Sequence, residues 1–392
     1  MTETATYVES AQQEIAAVLA EAKTDAYVHA RDIDSGEEFG YGADEGVILA
    51  SVFKIPVVLQ YAREVAAGTL DPTEHATVTA EFRSGGIGIG GCADDVTASW
   101  RDLALLMMSF SDNAATDFLY ERLGLDNIVA TLRGLGLEKT NLVRDCRGLF
   151  KTVYDDLGVD KGTLLEMPPI EILRTISVMD PARSNSSTPR EITMLLAAIW
   201  RDEAGPASAC EEVRTIMSKQ VWPHRLSSGF PDEVTVAAKT GTLGLVRNEA
   251  GVVAYPDGKR YAVGVFTKSH ELTHRAPKID ASIGNSVPSA RRPHNTWPSP
   301  PEVAPLRREV TPVAAKWRTC APCPARKRSG ISIDRGCPST SEAGQPKVAS
   351  AARLYRTMCS PSSMLMMASI AESSRAARRE AASAWPSSRV LG

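Results

Sequence analysis

No run of apolar residues in this chain approaches the roughly 18 that a membrane-spanning helix requires, and no membrane partner is expected. The N-terminus, MTETATYVESAQQEIAAVLAEAK, lacks the basic stretch and apolar core of a secretory leader. As written the chain is expected in the cytoplasm; an incomplete N-terminus would make it a secreted protein. Cysteine is scarce, seven in 392 residues. Cys92, Cys146 and Cys210 stand singly and imply no disulfide framework. Lysine nearly vanishes after residue 287, with three against 14 arginines.

That last shortage marks a boundary. Hydrophobic residues make up 43% of the chain, enough for a sizeable core, and the net charge is −3. Residues 1–287 hold 27 Lys+Arg against 41 Asp+Glu, a net of −14, whereas 288–392 hold 17 against 6, a net of +11. The tail also carries 13 prolines and 16 serines with little periodicity. Such a composition cannot bury enough apolar surface to order itself. It reads as a disordered extension, or as an out-of-frame or read-through translation. Its arginines would attract nucleic acid by charge alone, but no reader module accompanies them, so nucleic acid is not an expected partner. Cys320 and Cys323 form half of a zinc pattern, and Cys337 and Cys359 do not complete it.

Within residues 1–287 strands stand at both ends. DAYVHARDIDSGEEFGYG reads as two strands around the turn Asp34-Ser35-Gly36. VTVAAKTGT, NEAGVVAYP and RYAVGVFTK are three more, the last two joined by Pro256-Asp257-Gly258. Helical spacing dominates between, clearest in WRDLALLMMSF and in PREITMLLAAIWRDEA, which Thr188 and Pro189 open as cap and first residue. Helical segments at 8–22 and in APKIDASIGNSV bracket the whole. A two-stranded hairpin is marginal alone, so the five strands are expected in one antiparallel sheet. The predicted fold is α+β: a five-stranded antiparallel sheet flanked by helices, formed by residues 1–50 and 232–287, plus an all-helical lobe at 51–231. A cleft between the two is the expected site.

Three short motifs carry chemistry. In ILASVFKIPVVLQ, Ser51 and Lys54 are three residues apart and share a face if a helix begins near Ser51. Pro56 costs little only in a first turn, so the helix is expected to start at Ser51 or just after. A serine hydroxyl needs a base, and a lysine serves when its ammonium loses its proton easily. Ser111-Asp112-Asn113 closes a helical run, and Lys239-Thr240-Gly241-Thr242 ends a strand. S-x-x-K, S-D-N and K-T-G in that order form the signature set of penicillin-recognising serine enzymes.

On these motifs residues 8–287 resemble a class A β-lactamase or a close serine-hydrolase relative. The resemblance implies a serine hydrolase acting on a β-lactam, or a related carboxylate-bearing amide or ester, through an acyl-serine intermediate. A D-Ala-D-Ala peptidase or esterase with slow deacylation is the alternative. It implies that Ser51 is acylated with Lys54 as candidate base, and that Ser111 relays a proton to the leaving nitrogen near Lys239. Asn113 would hold the substrate's acyl amide, and Lys239 and Thr240 its carboxylate. The N–H groups of Ser51 and Thr242 would form the oxyanion hole, and Gly241 would let substrate approach the strand edge. Arg247 falls near the family's carboxylate-binding arginine, one residue out of register. A small-molecule substrate, no cofactor, no metal and a monomer complete the expectation.

One element of the pattern is missing. Class A enzymes activate the deacylating water with a glutamate in an E-x-x-L-N context. Here EKTNLVRDCRGLF puts Cys146 at that place, and extra sequence follows it. Asp145, Asp155, Asp156, Glu166 and Glu171 are the carboxylates open to replace it.

Two further motifs compete. SGGIGIGG (84–91) lacks the lysine and the strand–helix context of a phosphate loop, and reads as a loop at the cleft edge. HELTH (270–274) matches the H-E-x-x-H zinc motif, with His270 and His274 as ligands of a zinc-dependent hydrolase. That chemistry needs the motif inside a helix, whereas here it follows a strand read as a sheet edge.

Overall fold

Alternation in the terminal strands builds the sheet. In β1 (Thr24–Asp32) Ala26, Val28 and Ala30 are buried on one face, and β9 (Arg260–Ser269) matches them with Tyr261, Val263 and Val265. Helix α1 (Glu3–Ala22) lays Ala11, Ile15 and Leu19, spaced four apart, on that face, and α10 (Pro277–Asn285) adds Ile283. The opposite face of β9, with Ala262 and Phe266, joins a larger core shared with the helical part of the chain. Each buried valine, leucine, isoleucine or phenylalanine among them contributes roughly 2 kcal/mol, and each alanine less. The structure, a computed structural model, describes residues 3–83, 86–160, 168–272 and 276–287. The chain divides into two units, residues 1–308 and 309–392. The second, with the expectations placed on 288–392, lies outside the described residues.

The sheet has five strands in the order β2-β1-β9-β8-β7, where β2 is Glu38–Tyr41, β7 is Thr235–Leu243 and β8 is Val246–Ala254. All pairings are antiparallel, as the sequence predicts. Strand β9 is not an edge: it pairs with β1 from Thr24↔Ser269 to Asp32↔Tyr261, and with β8 on its other side. The N-terminal hairpin finds its third strand there, which leaves β2 and β7 as the two edges.

Between β2 and β7 the chain is helical. Its central element is α2 (Lys54–Ala66), buried at every residue from Lys54 to Ala62. A helix covered all round belongs at the middle of a bundle. Around it stand α3 (Trp100–Ser109), α4 (Asn113–Leu123), α5 (Leu125–Gly134) and α9 (Ala207–Met217). Helix α8 (Pro189–Trp200) packs on β1 and β9, so both sheet faces carry helices. The Thr188 side chain accepts from Glu191 N, with Pro189 first in the helix, as the capping pattern predicts. Helices α6 (Cys146–Leu157) and α7 (Ile170–Leu173) fill the insertion. Two short ribbons go beyond the sequence reading: β3 (Val47–Ile48) with β6 (Ser186–Ser187), and β4 (His75–Val78) with β5 (Val96–Ser99).

Candidate active site

Ser51 lies in a 3-10 turn, Ala50–Phe53, that runs straight into α2. Lys54 begins the α-helix and Pro56 is third in it, inside the turn whose N–H groups have no helical partner. Ala50 has φ +45°, a left-handed conformation that a side chain resists. The surroundings hold it. Asn248 Nδ2 donates to Ile48 O at 2.8 Å and Leu49 O at 3.3 Å, and its Oδ1 accepts from Thr267 N at 3.1 Å. The sheet thus grips the backbone just before Ser51.

The second motif sits at a break between helices. Helix α3 ends at Ser109, Ser111 takes φ +61°, and α4 starts at Asn113. Asp112 is fully buried and caps α4 through Ala114 N (2.9 Å) and Ala115 N (3.1 Å). Its other oxygen accepts from Ile89 N at 2.5 Å. A Cβ on Gly88 would fall 2.3 Å from that oxygen, so only glycine fits there. Asp112 therefore ties part of the glycine-rich loop to the serine–asparagine pair. Ser84 and Gly85 of that loop lie outside the described residues.

The lysines lie beneath. Lys54 Nζ donates to Ser111 O (2.8 Å), Ser111 Oγ (3.2 Å) and Asn113 Oδ1 (3.0 Å). Those are all the protons of an ammonium, and among the described residues Ser51 takes none of them. Burial pushes the Lys54 pKa down, against the pull of Cys146, Asp117 and Asp112. Lys239 is also fully buried, donates to Thr240 O at 2.8 Å, and is held well below the usual lysine value by burial and by the charge of Lys54.

The third motif is on the edge strand. Gly241 packs against the serine turn: a Cβ there would meet Leu49 O at 2.7 Å and Ser51 N at 3.2 Å. The close approach it permits in the structure is that of Leu49 and Ala50. Thr240 N donates outward to Gln220 Oε1 at 3.0 Å. Strand alternation puts Thr242 N on the same outer edge, one residue beyond the Gly241 that packs against Ser51 N.

Ser51, Ser111, Asn113, Thr240 and Thr242 line one cleft of about 290 Å³, together with Gly86, Ile87, Phe110, Trp222, His224 and Arg225. Among the described residues no carboxylate lines it. Arg247 is not part of the lining; it pairs with Asp280 at 3.4 Å, and Asn248 stands opposite Gly241. The arginine at the cleft is Arg225. Its Nη2 donates to Thr242 Oγ1 at 2.7 Å, Nη1 to Gly241 O (3.0 Å) and Asn248 O (2.9 Å), and Nε to Asp280 (2.8 Å). No motif announces it, because it lies between helix α9 and the edge strand β7.

Behind the cleft stands Cys146, first residue of α6. Its thiol donates to Asn113 Oδ1 at 3.4 Å, the oxygen that also serves Lys54. Its N–H donates to Asp117 Oδ1 at 2.7 Å, and Arg147 N to Asp117 Oδ2 at 3.0 Å. Asp117 follows Asn113 by one helical turn, a spacing that reveals it only once Asn113 is known to matter. Burial, then Asp145, push the Asp117 pKa up to about 7. Burial likewise pushes the Cys146 thiol up, so it keeps its proton at neutral pH. The other carboxylates of this region are engaged: Asp145 with Gly148 N and Arg147, Asp155 with Lys151, Asp156 with Ser177. Glu171 is exposed on α7, and Glu166 lies outside the described residues.

Residues 270–272 form a bend rather than a helix, and His270 Nε2 sits 2.9 Å from Asp25 Oδ1. His274 lies outside the described residues. Among the described residues no group of three His, Cys, Asp or Glu is arranged to hold a metal ion.

Comparisons with known proteins agree with this architecture. A family model described as "Beta-lactamase enzyme family" matches residues 10–289. The β-lactamase regulatory protein BlaB of Streptomyces cacaoi is 26% identical over 286 residues, covering 68% of this chain and 92% of that protein. The crystal structure of a β-lactamase from Sphaerobacter thermophilus is 26% identical, with a TM-score of 0.56 over 70% of this chain and 94% of that one. A variant of PBP-A, seen as its acyl-enzyme complex with penicillin G, shares the fold at 22% identity and a TM-score of 0.57, over 71% of this chain and 95% of that one.

Proposed function

The chain belongs to the β-lactamase enzyme family, and on that premise we propose that it is acylated at Ser51 by β-lactams and releases the acyl group slowly. The observation that carries acylation is one cleft lined by Ser51, Ser111, Asn113, Thr240 and Thr242, with Lys54 beneath it donating to both Ser111 and Asn113. Ser51 Oγ attacks the lactam carbonyl as its proton passes to a base. Lys54 is the candidate once its ammonium has released a proton, which burial favours. Charge on the carbonyl oxygen meets the N–H groups of Ser51 and Thr242. As the C–N bond breaks, Ser111 hands its proton to the departing ring nitrogen and takes one back from Lys54, which donates to its Oγ at 3.2 Å and now carries the proton from Ser51. The substrate's carboxylate meets the Thr240 and Thr242 hydroxyls, the latter oriented by Arg225.

Slow release rests on Cys146. A base for the deacylating water must accept a proton near neutral pH. A thiol that keeps its own proton and donates it to Asn113 does not. This favours a lasting adduct over rapid β-lactam hydrolysis. It also fits a regulatory rather than a hydrolytic role, the kind of role that the name of the Streptomyces cacaoi relative, a β-lactamase regulatory protein, states for that protein.

The test is intact mass spectrometry over time after mixing with a fluorescent penicillin. A persistent adduct, absent in Ser51→Ala, is expected. No adduct on the unmodified protein sinks the reading, and rapid loss of the adduct with product release replaces it with an efficient β-lactamase. Activity that a chelator abolishes and Ser51→Ala spares would point instead to zinc at His270.

A further inference from the structure

The cleft is without a carboxylate in its described lining, yet one stands a strand behind it. Glu249, on β8 opposite Thr240, is fully buried. Taking an ionised carboxylate out of water is costly unless its oxygens are hydrogen-bonded. Here each oxygen has a donor: Gln220 Nε2 reaches Oε1 at 2.5 Å and Leu226 N reaches Oε2 at 2.5 Å. Burial raises the Glu249 pKa, and these two donors, with Arg225 and Lys239, oppose the rise.

The two donors bracket one segment. Residues 220–223 belong to no helix or strand, and Trp222, His224 and Arg225 all line the cleft. Glu249 thus pins both ends of a wall that lacks a regular element of its own. Arg225 adds bonds to Gly241 O, Asn248 O and Asp280 from within it.

The direction of these bonds is set from the buried end. A carboxylate only accepts, so Gln220 must turn Nε2 toward Glu249. That leaves Gln220 Oε1 to accept from Thr240 N at 3.0 Å. A glutamine at 249 would offer one oxygen to two donors. Either Leu226 N or Gln220 then loses its partner, or Gln220 turns round and aims an N–H at Thr240 N.

Resting on acylation at Ser51 as read above, we propose that Glu249 is a positioning residue for that reaction. Through Gln220 and Leu226 N it holds the wall of Trp222, His224 and Arg225 against the edge strand β7. It touches no substrate and takes no part in the bond changes.

The experiment compares the full chain with Glu249→Gln and with Glu249→Gln/Gln220→Glu. In the double variant the carboxylate and the amide change places, and every bond of the relay can form again. Two readings are taken: the second-order rate of adduct formation with benzylpenicillin by intact mass, and amide hydrogen exchange over residues 220–226 and 236–243. Glu249→Gln is expected to slow acylation by at least about tenfold, as a displaced positioning group does, and to quicken exchange in these segments. The double variant should restore the parent's exchange and most of the lost rate. An unchanged rate or unchanged exchange in Glu249→Gln, or a double variant that restores neither, overturns the proposal. Should Glu249→Gln fail to fold, Gln220→Leu, at a partly exposed position, is judged by the same readings: slower acylation with quicker exchange supports the wall, and parent-like values overturn it. Absence of any adduct on the unmodified protein overturns the acylation reading instead, and exchange still decides whether Glu249 holds the wall.

Discussion

On the proposed reading, the difference at Cys146 between forming an adduct and clearing it comes down to one proton. The thiol stands first in α6 and its hydrogen points to Asn113 Oδ1, the same oxygen that takes Lys54. A carboxylate at this position would supply the missing acceptor. Cys146→Glu is expected to shorten the adduct's lifetime by about a hundredfold, at the low end of what general-base catalysis supplies, as read from mass spectra over time. An unchanged lifetime would mean that water cannot reach the ester. Single residues were also where the sequence was least legible. Ser51, Ser111 and Thr240 could be named because each belongs to a motif with fixed spacing. Arg225 and Asp117 belong to none: one reaches the cleft from a loop and the other lies a helical turn beyond Asn113, so only folding brings them in. Arg247 was the arginine the register suggested, and the pairing Thr242↔Arg247 directs it to Asp280 instead.

Among elements, the contact between β7 and the serine turn sets the geometry of the cleft. It depends on Gly241, where the missing side chain leaves room for Leu49 O at what would be 2.7 Å from a Cβ. Gly241→Ala must push the strand from the turn. The expected cost is roughly 1–3 kcal/mol by overpacking, seen as a lower urea midpoint. Acylation should slow by about a hundredfold, because a shift near 1 Å spoils the attack geometry. A variant that folds and reacts normally would show that the turn follows the strand. The five strands and the main helices were legible because period-2 and helical spacing are local signals. The ribbons β3–β6 and β4–β5 were not, since the first is two residues per strand and both are held by the neighbours they bridge. The centrality of β9 was hidden too: which strand lies at an edge depends on a partner 245 residues away, as in Thr24↔Ser269.

For the molecule as a whole, two buried groups tilt stability in opposite directions with pH. His29, fully enclosed between β1 and α8, has its pKa lowered from 6.5 to about 4 by burial and then by Arg190. Its folded state binds fewer protons than the unfolded chain between those values, so stability falls as the pH drops from 6.5 towards 4. Asp117, raised from 3.8 to about 7, binds more protons when folded, so its share falls as the pH rises through the same window. Each amounts to about 3 kcal/mol across it. Urea midpoints between pH 4 and 6.5 should therefore rise with pH in Asp117→Asn, fall with pH in His29→Gln, and change less in the parent. Parallel profiles in all three would discount both groups. Assembly is governed at the same scale by the free side of β7. A bare strand edge invites a second copy to add itself, hydrogen bond by hydrogen bond. Here the Gln220 side chain occupies Thr240 N, a single amide standing in for a sixth strand. Gln220→Ala should leave that edge open to pairing, giving slow, concentration-dependent association in light scattering. The edge that lines the cleft through Thr240 and Thr242 is thus closed to a neighbouring chain, at Thr240 N, by one glutamine.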